Sequence, residues 1–87
     1  MEAVPPTVYI LRCADGTLYT GYALDVDQRC AAHNAGRGAR YTAGRRPVTV
    51  AYVEACATVS EALKREYALK RLSRQEKDAL IAAAGRR

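Results

Sequence analysis

Two six-residue runs of β-favouring residues, Thr7–Arg12 (TVYILR) and Leu18–Ala23 (LYTGYA), lie on either side of Asp15-Gly16. Branched and aromatic side chains suit a pleated surface, and Asp-Gly permits the backbone signs of a tight reversal. A hairpin is therefore expected at the start of the chain, after an extended lead-in held by Pro5-Pro6. A hairpin alone is marginal in water, so later segments must cover it. Gly21 interrupts the second run and marks a close approach by backbone or ligand.

The later segments read as helices around one more strand. Asp25 with Gln28 forms a capping-box pattern for a helix that runs to Asn34-Ala35, with Gly36 as its terminator. A basic loop spans residues 36–47, and residues 48–55 (VTVAYVEA) read as a third strand. Thr58 with Glu61, and Ser73 with Glu76, are capping boxes for two further helices. The last is expected to run to about Ala84, with Gly85 ending it and Arg86-Arg87 near its negative dipole end. The order is β-β-α-β-α-α, an α/β chain with a small three-stranded sheet and helices packed on it.

At 87 residues the chain is expected to form one domain, 1–87, with its core from about residue 7 to 81; 49% hydrophobic residues suffice for packing. Three cysteines, Cys13, Cys30 and Cys56, show no paired spacing, which points to reduced thiols in a cytoplasmic protein. No apolar run is long enough to span a membrane, and no signal-peptide pattern opens the chain. The formal charge is +5 and the pI about 9.4, a balance that suits a polyanion such as nucleic acid. Tyr supplies all six aromatic rings.

Residues 59–72, drawn as a wheel at about 100° per residue, place Val59, Ala62, Leu63, Tyr67 and Leu69 on an apolar arc. Glu61, Lys64, Arg65 and Arg71 point elsewhere. Glu66 falls near the middle of the arc, with Lys70 one turn on. A carboxylate aimed at a core needs a partner or a metal. An i, i+4 ion pair with Lys70 is the plain explanation, worth only a few tenths of a kcal/mol. The helix after Asp25 has a similar oddity. Val26 and Cys30 mark its buried side, and Arg29 and His33 lie on or beside that side. An arginine fork fits phosphate, and a histidine can hold or move a proton near neutral pH.

Tyr9 in Thr7-Val8-Tyr9, Tyr19-Thr20-Gly21, Arg29-x-x-x-His33 and Glu66 together resemble the GIY-YIG nuclease signature. The resemblance covers about residues 7–81. It is closest to small stand-alone bacterial members, through the stretches HNAG (33–36), GARYT (38–42) and LKRLS (69–73). Thr7-Val8 stands where the family has Gly-Ile, and Thr20 where it has the middle Ile of the second tripeptide. Arg74, Gln75 and Asp78 occupy the region where many larger members carry an Asn. The resemblance implies an α/β/α layered domain with a three-stranded, mainly antiparallel sheet flanked by helices.

It also implies an endonuclease that hydrolyses DNA phosphodiester bonds in single-stranded or structured DNA, leaving 5′-phosphate and 3′-hydroxyl ends. Glu66 would hold one Mg²⁺ or Mn²⁺; such hard cations keep several waters and need few protein ligands. Tyr9 would be the general base, helped by positive charge from Arg29, Lys70 or the metal. His33 would take or position its proton, Tyr19 would orient water or phosphate, and Arg29 would contact the phosphate. Arg37, Arg40, Arg45 and Arg46, around Tyr41, are expected to follow a nucleic-acid backbone with Lys70, Tyr41 stacking a base. DNA is favoured over RNA, with no membrane partner, a monomer or weak dimer, and a protein partner for targeting left open. The alternative is a non-catalytic nucleic-acid-binding or repair-accessory module of the same fold.

Overall fold

A computed structural model of the chain describes residues 4–84. The expected stop at Gly85 and the Arg86-Arg87 pair lie outside the described residues, as do residues 1–3 of the lead-in. In chain order the elements are β1 (Thr7–Arg12), β2 (Leu18–Ala23), α1 (Val26–Asn34), α2 (Arg40–Ala43), β3 (Thr49–Ala55), α3 (Val59–Lys70) and α4 (Arg74–Ala83). The expected hairpin forms, and β1 becomes the middle strand of a sheet ordered β2-β1-β3. Both pairings are antiparallel, with a register irregularity against β3 between Ile10 and Leu11.

The central strand explains the layering. Val8, Tyr9, Ile10 and Leu11 are all buried, because alternate side chains enter cores on opposite faces of the sheet. Val8 and Ile10 pack with Ala51, Tyr52, Ala62, Leu69 and Ile81, on the side covered by α3 and α4. Tyr9 and Leu11 pack with Cys13, Ala23, Val26 and Val48, on the side covered by α1. Each fully buried aliphatic side chain stabilises by about 1.5–3 kcal/mol.

All three expected N-caps form, but only the last of the three expected capping boxes is reciprocal, and Glu61 instead accepts from the Ala57 amide. Asp25 accepts from the Gln28 amide, Thr58 from the Glu61 amide, and Ser73 with Glu76 closes a full reciprocal box. One element is additional: the basic loop contains a single helical turn, α2, where only irregular chain was expected. It is anchored by Thr42, whose side chain is fully buried.

The apolar arc of α3 needs correction. Val59, Leu63 and Tyr67 form an exposed stripe, Tyr67 being 64% exposed. Only Ala62 and Leu69 are buried. The helix turns Ala62 and Leu69 to the sheet, so the wheel's widest apolar face is not its contact face. Arg65 is also not a solvated charge. It donates from Nε to both oxygens of Glu54, at 3.0 and 2.8 Å, against Tyr52.

Candidate active site

The site lies on the α1 side of the hairpin. Tyr9 pairs across the sheet with Gly21, and Tyr19 with Leu11, so the two tyrosines are diagonal neighbours on one face. A Cβ on Gly21 would stand 2.7 Å from the Tyr9 hydroxyl. Gly21 is therefore the gap through which the Tyr9 ring crosses β2, which is the close approach read from the sequence.

His33, on the last turn of α1, faces that ring and is 2% exposed. Tyr9 Oη and His33 Nε2 are hydrogen-bonded at 3.2 Å. The other ring nitrogen, Nδ1, lies 2.7 Å from Thr42 Oγ1 and accepts from the Ala39 backbone N–H at 3.3 Å. A Cβ on Gly38 would collide with the same imidazole, so this glycine makes room for His33 as Gly21 does for Tyr9. Thr42 Oγ1 also lies 3.0 Å from Ala39 O. The one-turn helix α2 thus forms the floor beneath His33.

The Tyr19 ring lies 5.2 Å from His33, and Tyr41 stacks on Tyr19 at 5.9 Å. Arg45 places its guanidinium carbon 4.0 Å over the Tyr41 ring. Rings and guanidinium thus continue from the buried histidine outward to the basic loop.

Arg29 stands at the Tyr9 hydroxyl, where its guanidinium favours the phenolate as a charge and as a hydrogen-bond donor. That influence is outweighed. Burial, then the neighbouring Tyr19, push Tyr9 from 10.0 up to about 12, and the negative charge of Glu66 acts in the same direction. Without a bound cation the surroundings therefore hold Tyr9 as a phenol; the expected help from Arg29 is present but outweighed. Burial and the Arg29 charge lower the His33 pKa, so the imidazole is held neutral.

Glu66 arrives from the other layer, on α3, and its charge is felt at Tyr9. Its side chain is only 18% exposed, and Lys70 Nζ lies 3.3 Å from Oε2. The i, i+4 pair read from the sequence is therefore present. Among the described residues, no group of three or more His, Cys, Asp or Glu side chains could enclose a metal ion. A lone, largely covered carboxylate fits a hard cation that keeps its remaining positions for water and phosphate oxygens.

All five candidate catalytic residues meet here. Tyr9 and Tyr19 both meet His33, while the charges of Arg29 and Glu66 act on the Tyr9 hydroxyl with opposite sign. The basic loop divides. Arg45 bonds to Asp15 and the Tyr41 carbonyl, and Arg46 to the carbonyls of Ala43 and Asn34, so both fasten the loop. Arg37 and Arg40 are exposed. Arg37 lines an open cleft of about 400 Å³ with Arg29, Gln28 and Asp25.

Three contributors were not singled out from the sequence. Thr42 and the Ala39 amide support His33. Asn34 accepts from Val48 N at 2.6 Å and donates to Val48 O at 2.9 Å, tying α1 to the start of β3. The signal was the stretch GARYT, whose glycine and threonine carry a packing role that spacing does not express.

The model of the GIY-YIG catalytic domain matches residues 5–79. A UPF0213 protein of Halobacterium salinarum is 56% identical over 74 residues, covering 85% of this chain and 96% of its own. A UPF0213 protein of Staphylococcus saprophyticus is 57% identical over the same length, with 85% and 90% covered. The solution NMR structure of a UPF0213 protein from Bacillus halodurans superimposes with a TM-score of 0.61 at 45% identity, covering 92% of this chain and 85% of that one. That of a protein from E. faecalis gives 0.62 at 41%, covering 91% and 84%.

Proposed function

The chain belongs to the GIY-YIG catalytic-domain family, a nuclease family, and from that premise we propose that it is a metal-dependent DNA endonuclease. The observation that carries this reading is the Tyr9–His33 hydrogen bond beside Tyr19, with the charges of Arg29 and Glu66 both felt at the Tyr9 hydroxyl. Such a group has little packing rationale. Two glycines make room for Tyr9 and His33, and a cation and a carboxylate both exert their charge on the same hydroxyl.

A Mg²⁺ or Mn²⁺ ion bound by Glu66 would supply Lewis acidity at the phosphate, stabilise the leaving 3′ oxygen and favour the nearby phenolate. Tyr9 is the general base. At about 12, only about one molecule in 10⁵ carries its phenolate at neutral pH, so substrate and cation binding must complete its activation. Its oxygen then takes a proton from the attacking water as the new P–O bond forms and the bond to the 3′ oxygen breaks. Arg29 donates to the phosphate as charge gathers there. Tyr19 orients the phosphate or water, and His33 holds Tyr9. The products carry a 5′-phosphate and a 3′-hydroxyl.

The substrate enters by the cleft that Arg29 and Arg37 line, with Arg40 and Lys70 as further phosphate contacts. Tyr41, Arg45 and Arg46 complete the contact set, with Tyr41 already stacked on Tyr19. Single-stranded DNA suits so small a site, since no duplex has to be distorted; structured DNA comes second and RNA last.

A cleavage panel of single-stranded, duplex, flap and RNA substrates tests the reading, with wild type, Arg29→Ala and Glu66→Ala. Wild type is expected to cut single-stranded or flap DNA only with Mg²⁺ or Mn²⁺. Each variant should lose at least about 10²-fold in rate, the scale for removing one preorganised charge. A wild type that cuts none of the substrates with either ion would sink the proposal.

A further inference from the structure

We propose that Thr42, with the backbone N–H of Ala39, fixes the proton of His33 on Nε2, so that His33 donates to Tyr9 and does not receive its proton. This rests on the reading of Tyr9 as the base and deepens it, making Thr42 a positioning residue.

The argument is one of counting hydrogens. A neutral imidazole has one N–H and one acceptor nitrogen. Ala39 N points its hydrogen at Nδ1 from 3.3 Å, and a backbone amide cannot reverse. With a proton on Nδ1, two donors would face each other and the amide would lose its acceptor. With Nδ1 bare, it accepts from Ala39 N and from the Thr42 hydroxyl at 2.7 Å.

Thr42 has a second possible acceptor, Ala39 O at 3.0 Å, but only one hydrogen. Ala39 O already accepts from the Thr42 amide at 3.2 Å, whereas Nδ1 lies closer to the hydroxyl. The assignment that satisfies every group sends the hydroxyl hydrogen to Nδ1 and leaves the ring proton on Nε2. Burial beside Arg29 opposes a second ring proton.

The consequence concerns where the Tyr9 proton goes. His33 Nε2–H donates to the Tyr9 oxygen, so the phenol's own hydrogen must point away from the imidazole, and the Arg29 charge favours its loss. On activation the Tyr9 O–H bond breaks and its proton passes to a solvent water in the cleft. The phenolate, held by the His33 donor and favoured by the Arg29 charge, then takes the proton of the attacking water. The departing 3′ oxygen is protonated from solvent, so no proton is routed through His33.

His33 is the only histidine in the chain, so its ring nitrogens can be read without ambiguity from ¹⁵N-labelled protein by long-range proton–nitrogen correlation at neutral pH. The expected spectrum shows Nε2 protonated and Nδ1 bare. The reverse assignment, or two protonated nitrogens, overturns the proposal. In Thr42→Val the ratio of tautomers should move toward Nδ1–H by about tenfold, the scale of one hydrogen bond. Cleavage should then show a lower kcat with KM held, and Thr42→Ser should restore both. Thr42→Ala is the second variant if valine disturbs packing. An unchanged tautomer ratio in a folded variant that lacks the hydroxyl overturns the role of Thr42. The nitrogen signals do not depend on catalysis, so a failure of the nuclease reading would be seen separately in the cleavage panel.

Discussion

The two faces of the sheet are built from the same central strand but follow different rules. On the α3/α4 side, Val8 and Ile10 meet alanine, leucine, isoleucine and a tyrosine ring in an ordinary apolar core. On the α1 side, Tyr9 and Leu11 share their layer with His33 and Thr42, and glycines replace side chains where rings must pass. The first face spends its positions on packing. The second gives up apolar burial to hold a phenol, an imidazole and a hydroxyl in fixed relation. Stability and chemistry are thus largely separated across one strand, with Glu66 reaching the site from the packing side.

Paired substitutions test that separation most strongly. Ile10→Ala should cost about 2–5 kcal/mol in denaturant unfolding while folded protein keeps its kcat. Gly21→Ala should cost less, about 1–3 kcal/mol, because its Cβ overpacks against Tyr9. It should nevertheless reduce kcat by about 10²-fold through misplacement of the hydroxyl. Equal losses of kcat in both variants would erase the distinction.

The alkaline limb of stability gives a smaller effect. Tyr9 titrates at about 12 when folded and at 10.0 as a free group, so the folded state retains a proton that the unfolded chain releases between those values. Its contribution is fully present below pH 10 and is lost as the pH rises toward 12, amounting to at most about 2–3 kcal/mol. Unfolding free energies from pH 9 to 12 should therefore fall more steeply in wild type than in Tyr9→Phe. Parallel curves would show that the phenol is not held as described.

The smallest expected change lies on the packing face. Thr20 Oγ1 is buried there and has no hydrogen-bond partner, the one such side-chain atom among the described residues. Thr20→Val should raise stability by about 1 kcal/mol, since an unpartnered hydroxyl is replaced by a methyl group of similar size. Cleavage should be unchanged. A loss of activity in this variant would mean that the packing face also serves the chemistry.

Much of this architecture was legible in the sequence. The hairpin, the three caps and the strand–helix order follow from local preferences, since turn residues, capping side chains and β-branched runs act on their immediate neighbours. Gly21 as a point of close approach was also legible, because a glycine weakens a strand and is used where something must come near the backbone, here the Tyr9 ring. The five candidate catalytic residues came from the family resemblance, with Arg29, His33 and Glu66 also marked by polar side chains on or beside helix faces that read as buried. Local pattern failed where a choice between faces was involved. On α3 the stripe of Val59, Leu63 and Tyr67 looked like the buried side, yet Ala62 and Leu69 make the contact. A wheel sums hydrophobicity but does not know which face the sheet can approach.

Tertiary structure alone decided the rest. It set the balance at Tyr9, where burial and Tyr19 outweigh Arg29, because desolvation depends on everything packed around the ring. It separated Arg45 and Arg46, which fasten the loop, from Arg37 beside the cleft, although all carry the same charge in the sequence. It also placed Thr42 and the Ala39 amide under His33, from a segment that read as plain basic loop. The sequence determined which chemical groups are present and which elements carry them. The fold determined their desolvation, partners and proton positions, because those depend on distances between residues far apart in the chain.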